Sequence, residues 1–99
     1  MINSLRIQSA YVDLYKQLRR YIWDFSTVEK LADLEVSVYK AFPSIEEVSK
    51  CFDKLRIDLK QSEKDDENLK TACDNFKSVL DSDTETYVKI YQVDEVIPL

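Results

Sequence analysis

This chain contains no glycine and no histidine in its 99 residues. Glycine permits positive φ angles and close backbone approach to phosphate groups, so its absence excludes a glycine-rich phosphate-binding loop. Histidine is the side chain best suited to acid–base chemistry near neutral pH, and it is the commonest metal ligand. Its absence excludes a histidine-based catalytic triad and any histidine-containing metal site. The sequence therefore argues against most enzyme classes, and we expect a non-catalytic protein with no cofactor and no metal.

The absence of long apolar runs and of a secretion signal further narrows the class of protein. No run of about 18 apolar residues occurs, so we expect no transmembrane helix and no membrane partner. The N-terminus lacks the basic and apolar regions of a secretion signal, which favours a cytoplasmic location. The two cysteines, Cys51 and Cys73, are therefore expected to be free and buried. A chain of this length, 44% hydrophobic, is typical of one helical domain over residues 1–99.

Helical periodicity is the main pattern in what the sequence does contain. Apolar residues recur three and four positions apart, in stretches that begin at capping residues. They predict helices over about 3–24, from a capping box at Ser26 to about Phe42, over about 45–60 after a cap at Ser44, and from Leu69 to Leu80. Residues 61–68 are expected to form a loop or the exposed start of the fourth helix. The expected fold is all-α, a compact bundle of four to five short antiparallel helices.

The first predicted helix carries the clearest apolar stripe. Its members step by four, three, four, three and four residues and are expected to face the core together: Ile7, Tyr11, Leu14, Leu18, Tyr21 and Phe25. In the second predicted helix the core stripe is expected to comprise Val28, Leu31, Leu34, Val38 and Ala41 or Phe42.

The segment 86–93 is ambiguous. It is rich in β-branched and aromatic residues, a composition typical of a strand. A lone strand has no partner in an otherwise helical monomer, so we favour a short fifth helix over about 84–95. The alternative is a C-terminal strand at about 86–93 that pairs with another chain.

Charge is distributed unevenly along the chain, whose net charge is −5. Residues 1–22 hold four basic residues and one acidic residue, whereas residues 61–99 hold four basic and ten acidic residues. Two groups are candidate partner-binding residues. The acidic group is Glu63, Asp65, Asp66 and Glu67, and the basic group is Lys16, Arg19 and Arg20, next to Trp23. The ordinary role for both is a solvated surface, or for the basic group a contact with the acidic C-terminal third of the chain itself.

These observations predict a small acidic protein that binds another protein, as an inhibitor or accessory factor of the kind that phages and mobile elements encode. A basic protein that handles nucleic acid is the partner that an acidic surface suits. The alternative is a self-assembling structural protein, such as a homodimer, a scaffold or a virion component. Direct nucleic-acid binding through the first helix is a third hypothesis, which the net charge of −5 disfavours because a polyanion repels it.

Overall fold

The computed structural model describes the backbone of residues 4–96 and the side chains of residues 5–82. This backbone forms four helices, which are α1 (Ser4–Leu18), α2 (Phe25–Val38), α3 (Ile45–Asp65) and α4 (Glu67–Val96). No strand occurs between residues 4 and 96, and the expectation of an all-α fold is confirmed. The backbone of α4 runs through residues 86–93, but the side chains from residue 83 onward lie outside the described part. Helix α4 continues through residues 84–95 without a break, so the separate fifth helix expected there is wrong, and the strand alternative at about 86–93 is not confirmed.

One hydrophobic core joins the four helices. Helix α1 packs against α4, α4 against α3 and α3 against α2, with a smaller contact between α1 and α2. The largest fully buried side chains recur on one face of each helix: Ile7, Leu14, Leu18, Leu34, Val38, Val48, Phe52, Leu55, Leu59, Leu69, Phe76 and Leu80. The rings of Phe52 and Phe76, with centroids 4.7 Å apart, bring α3 against α4.

Helix α1 ends at Leu18, six residues before the predicted end at residue 24. The amide of Tyr21 donates to the Leu18 carbonyl at 3.1 Å, and the Trp23 indole Nε1 donates to the same carbonyl at 2.8 Å. A carbonyl that receives these two donors needs no further helical turn to satisfy it. The expectation that Tyr21 and Phe25 lie in the core is therefore wrong, since both side chains are exposed.

Helix α2 begins and ends earlier than predicted. Its N-cap is Asp24, whose carboxylate accepts from the Thr27 amide at 2.9 Å, so the predicted capping box at Ser26 is wrong. A carboxylate is favoured at this position because it also complements the positive end of the helix dipole. At the other end α2 stops at Val38, and Phe42 lies exposed in the connection to α3. The predicted cap at Ser44 is confirmed, because its hydroxyl accepts from the Glu47 amide at 3.4 Å.

Only Asp66 separates α3 from α4. Residues 61–65, expected as loop or as the start of the fourth helix, instead complete α3. Asp66 adopts an extended conformation, with φ −132° and ψ 98°, and its carboxylate accepts from the Leu69 amide at 3.1 Å. One aspartate thus breaks one helix and caps the next, without the glycine that such ends often use. Both cysteines are free, Cys73 fully buried and Cys51 half-buried.

Candidate protein-binding surface

Two members of the predicted acidic group are held inside the molecule. Glu63 is only 9% exposed and accepts from the Arg56 guanidinium at 3.0 Å. Arg56 also reaches Asp74 on α4 and lies over the ring of Phe52, so it links α3 to α4. Burial alone lowers the pKa of this arginine, but its bonds to Glu63 and Asp74 outweigh burial and raise it. The carboxylate of Glu63 is therefore committed to the fold.

Asp66 is committed in the same way, at 8% exposure. Besides capping α4, it accepts from the Tyr21 hydroxyl and from the Arg20 guanidinium, the latter at 3.4 Å. The bond from Tyr21, followed by the bond from the Leu69 amide, holds the pKa of Asp66 below its ordinary value. The same bond raises the pKa of Tyr21. This carboxylate ties the α1–α2 connection to the α3–α4 junction.

The other two acidic candidates, Asp65 and Glu67, are exposed on either side of Asp66. They line a shallow depression together with cationic side chains of both helices. Its lining consists of Arg56, Lys60, Glu63, Lys64, Asp65, Glu67 and Lys70. Four cations and three acids thus share this surface, and their opposite charges offset one another. The group at 63–67 does not form the uniformly acidic surface that the sequence suggested.

Within the basic group, some side chains face solvent and others contact the rest of the fold. Lys16 and Arg19 are exposed on or just after α1. Arg20 pairs with Asp66, which is the predicted contact between the basic group and the acidic part of the chain itself. Trp23 is half-buried, with its ring 5.5 Å from that of Tyr21, between centroids. The fold therefore brings Arg20, Trp23 and Asp66 together around Tyr21 and leaves Lys16 and Arg19 facing solvent.

A further surface, which sequence reasoning missed, lies on the outward side of α2. It consists of Phe25, Val28, Ala32, Val36 and the C-cap residue Tyr39, hereafter the outer α2 face. All five are exposed, Phe25 by 78% and Val36 by 63%. Their spacing of three, four, four and three residues places them within an arc of about 80° on the helix. They form one continuous apolar stripe on a helix whose opposite side packs in the core.

Helix α2 is consequently apolar on two sides. Leu34 and Val38 face inward and are fully buried, with Leu31 half-buried beside them. Val28, which the sequence assigned to this inner stripe, belongs to the outer one and is half exposed. A surface helix normally carries a polar face toward water, and a helix that is apolar all round is normally covered on both sides. The second stripe is therefore the unusual feature of α2.

Acidic residues border the outer α2 face on both flanks. Glu29 and Asp33 lie on one flank and Glu35 on the other, all exposed. Lys30, the one basic residue of α2, turns toward α3 and contacts Asp58 at 2.8 Å between Nζ and Oδ2. Every charged side chain on the outward half of α2 is therefore negative.

Tyrosines extend this surface from α2 to α1. Tyr11 donates its hydroxyl to Glu35 at 3.2 Å and packs edge-on against Tyr39, with centroids 5.8 Å apart. Tyr15 stacks on Tyr11 at 6.2 Å and is partly exposed. Burial, followed by the charge of Glu35 and the bond to it, raises the pKa of Tyr11, which therefore stays protonated as a donor. The cluster fixes Glu35 and Tyr39 in place at the C-terminal end of the outer α2 face.

Comparison of the chain with models of known protein families, with curated proteins and with solved structures finds no match. Within the described residues, no three cysteine, aspartate or glutamate side chains are grouped so as to hold a metal ion. Over the same part of the chain, none of the helices has the length and apolar character needed to cross a membrane. On the described part of the chain, the outer α2 face with its acidic flanks is the candidate functional surface.

Proposed function

We propose that this protein is a non-catalytic module that binds a basic protein partner through the outer α2 face. The observation that supports this function is an exposed apolar stripe on a helix that is already anchored by its other side, with only acidic residues among the charged residues of α2 that flank the stripe. Isolated exposed apolar residues are normal, but a contiguous patch with a polar border is typical of an interaction site. An inhibitor or accessory factor would use such a surface to bind the basic region of its target.

The surface has the features of a protein interface. Phe25 and Tyr39, at its two ends, are aromatic residues, which are enriched at protein interfaces. The valines between them supply apolar area, and Glu29, Asp33 and Glu35 supply the polar border. Acidic flanks attract a basic partner and raise its association rate.

This location revises the sequence-based choice of surface while keeping the class of partner. Glu63 and Asp66 are engaged within the fold, and replacing them would alter the helix junction as well as any binding. Asp65 and Glu67 are exposed and can be replaced without breaking a bond to the core. They serve as the comparison site in binding experiments.

The test is affinity capture of the tagged protein from its native cell after nuclease treatment, with two matched variants. Val36→Asp places a charge in the outer α2 face, whereas Ile57→Asp makes the same change on α3, where Ile57 is 66% exposed. We expect one stoichiometric protein to be captured by the unchanged chain and by Ile57→Asp, and to be lost with Val36→Asp. Retention of that protein by Val36→Asp would contradict the proposal.

Self-assembly, the alternative function, is tested by measuring the mass of the purified protein and its variants in solution. A homodimer formed through the outer α2 face would show twice the chain mass by light scattering, and Val36→Asp would return it to a monomer. Like-charged flanks oppose such a dimer, because Glu29, Asp33 and Glu35 of two copies would be brought together. We therefore expect a monomer at micromolar concentration.

A further inference from the structure

We infer that the partner presents to the outer α2 face an amphipathic helix of about four turns whose apolar stripe is flanked by Lys or Arg. This inference rests on the proposed function and specifies the form of the partner. Three observations support it: the helical spacing of the apolar residues on the surface, the hydrogen bonding of the α2 backbone, and the negative charge of the residues that flank the surface.

The shape is that of one half of a helix pair. Apolar side chains spaced by three and four residues form the ridge that packs into the grooves of a second helix. The stripe from Phe25 to Tyr39 covers 14 steps along the helix, or about 21 Å at 1.5 Å per residue. A partner helix of about 14 to 18 residues would cover its full length.

The backbone of α2 offers no other mode of docking. Between its ends the amides and carbonyls of α2 are paired within the helix. At its ends, Asp24 accepts from the Thr27 amide, and the Tyr39 amide donates to the Glu35 carbonyl at 3.0 Å. A strand or extended peptide gains affinity chiefly from main-chain bonds at a free sheet edge, and the described residues contain none. Binding here must come from side chains, which favours a helix presenting its own apolar stripe.

The charges beside the outer α2 face determine which residues should flank the apolar stripe of the partner helix. In paired helices the residues beside the apolar seam face one another across it, and opposite charges there select the partner. Here those positions are occupied by Glu29 and Asp33 on one flank and Glu35 on the other. A second copy of this chain would place like charges opposite one another, whereas Lys or Arg flanks would complement all three. The geometry and charge therefore favour a basic amphipathic helix over a homodimer.

Synthetic peptides test this inference directly. The probe is a helical peptide of about 18 residues built from leucine and lysine, with the leucines on one face. One control has glutamate in place of every lysine, and a second has the same leucine and lysine content in an order that gives no apolar face. We expect the amphipathic leucine–lysine peptide to bind at least tenfold more tightly than either control, as measured by fluorescence anisotropy.

Variants of the protein locate that binding. Val36→Asp adds a negative charge, which attracts lysine, and yet we expect at least a tenfold loss because the apolar contact is broken. Ile57→Asp should bind like the unchanged protein. Replacing Glu29 by Gln and Asp33 by Asn should weaken binding and reduce its salt dependence, whereas the matched pair Asp65→Asn and Glu67→Gln should change neither.

The outcomes separate this inference from the proposed function. Equal binding of the scrambled peptide, or full binding to Val36→Asp, would show attraction by net charge alone and would overturn the inference. If a native partner depends on Val36 but the leucine–lysine helix does not bind, the inference fails and the proposed function stands. If the helix binds at Val36 but native capture is indifferent to that residue, the proposed function fails.

Discussion

Replacing Phe52 in the core and Phe25 on the outer α2 face by alanine should have very different effects on the free energy of unfolding. Phe52 is fully buried between α3 and α4, whereas Phe25 is 78% exposed at the start of α2. If the outer α2 face is open to a partner, Phe25→Ala must leave the free energy of unfolding almost unchanged. Phe52→Ala must lower it strongly.

The magnitudes follow from burial. Replacing a buried phenylalanine by alanine costs about 3–5 kcal/mol, of which the ring contact between Phe52 and Phe76 contributes about 0.5–1.5 kcal/mol. Only about a fifth of the Phe25 side chain is covered, which at about 25 cal/mol per Å² is worth about 1 kcal/mol at most. Alanine recovers about 0.5 kcal/mol through its higher helix propensity. The expected loss for Phe25→Ala is therefore below about 1 kcal/mol.

Urea unfolding followed by far-UV circular dichroism measures both values. A domain of this size has about 5–15 kcal/mol of stability, so Phe52→Ala can leave too little native protein to measure. Phe52→Leu, with an expected loss of about 1 kcal/mol, then takes its place, and Phe42→Ala serves as a second exposed control. A loss for Phe25→Ala as large as that for Phe52→Ala would refute the reasoning, because Phe25 would then be covered within the chain.

Three further predictions concern the interior. Because hydrogen bonds hold the pKa of Asp66 low, its contribution is complete above about pH 4 and is lost as the pH falls through the lowered pKa. Urea unfolding should therefore show the stability gap between the unchanged protein and Asp66→Asn closing with acid, and a constant gap would contradict this. Arg56→Met should cost about 2–4 kcal/mol by stranding the Glu63 carboxylate, and adding Glu63→Leu should restore most of the loss, whereas additive losses would show that the pair is not coupled. Burial raises the pKa of Cys73 to about 12, so iodoacetamide should label half-buried Cys51 well before Cys73 by mass spectrometry; equal labelling rates would place both thiols in solvent.

Local patterns predicted the helices well where the pattern alone decides the structure. The steps from Ile7 to Leu18 mark the inner side of α1, and Ser44 after Pro43 marks the start of α3. The end of α1 could not be predicted from apolar spacing, because the same spacing continues through Tyr21 and Phe25. What stops the helix is contact with residues that follow it, notably Trp23 bound to the Leu18 carbonyl. Such bonds depend on the folded chain and leave no periodic signal.

The candidate surface shows a different limit of sequence reasoning. Helix α2 contains two apolar stripes with helical spacing, one through Leu34 and one through Val36. Packing against α3 selects the first for the core, and only the folded structure shows that the second stays exposed. The acidic group at 63–67 shows a related limit. The partner of Asp66 is Tyr21, 45 residues earlier in the chain, so its engagement inside the fold could not be seen from local charge.

Site-specific photo-cross-linking tests the central claim most directly, because it reports contact rather than affinity. A photoreactive side chain is placed in turn at position 36 on the outer α2 face, at position 57 on α3 and at position 67 beside the α3–α4 junction, in the full chain inside its native cell. We expect a partner protein to be cross-linked from position 36 alone, through a peptide in which Lys or Arg residues flank apolar ones at helical spacing. Cross-links to that partner from position 67 or 57 but not from 36 would contradict it, and would move the binding surface away from α2.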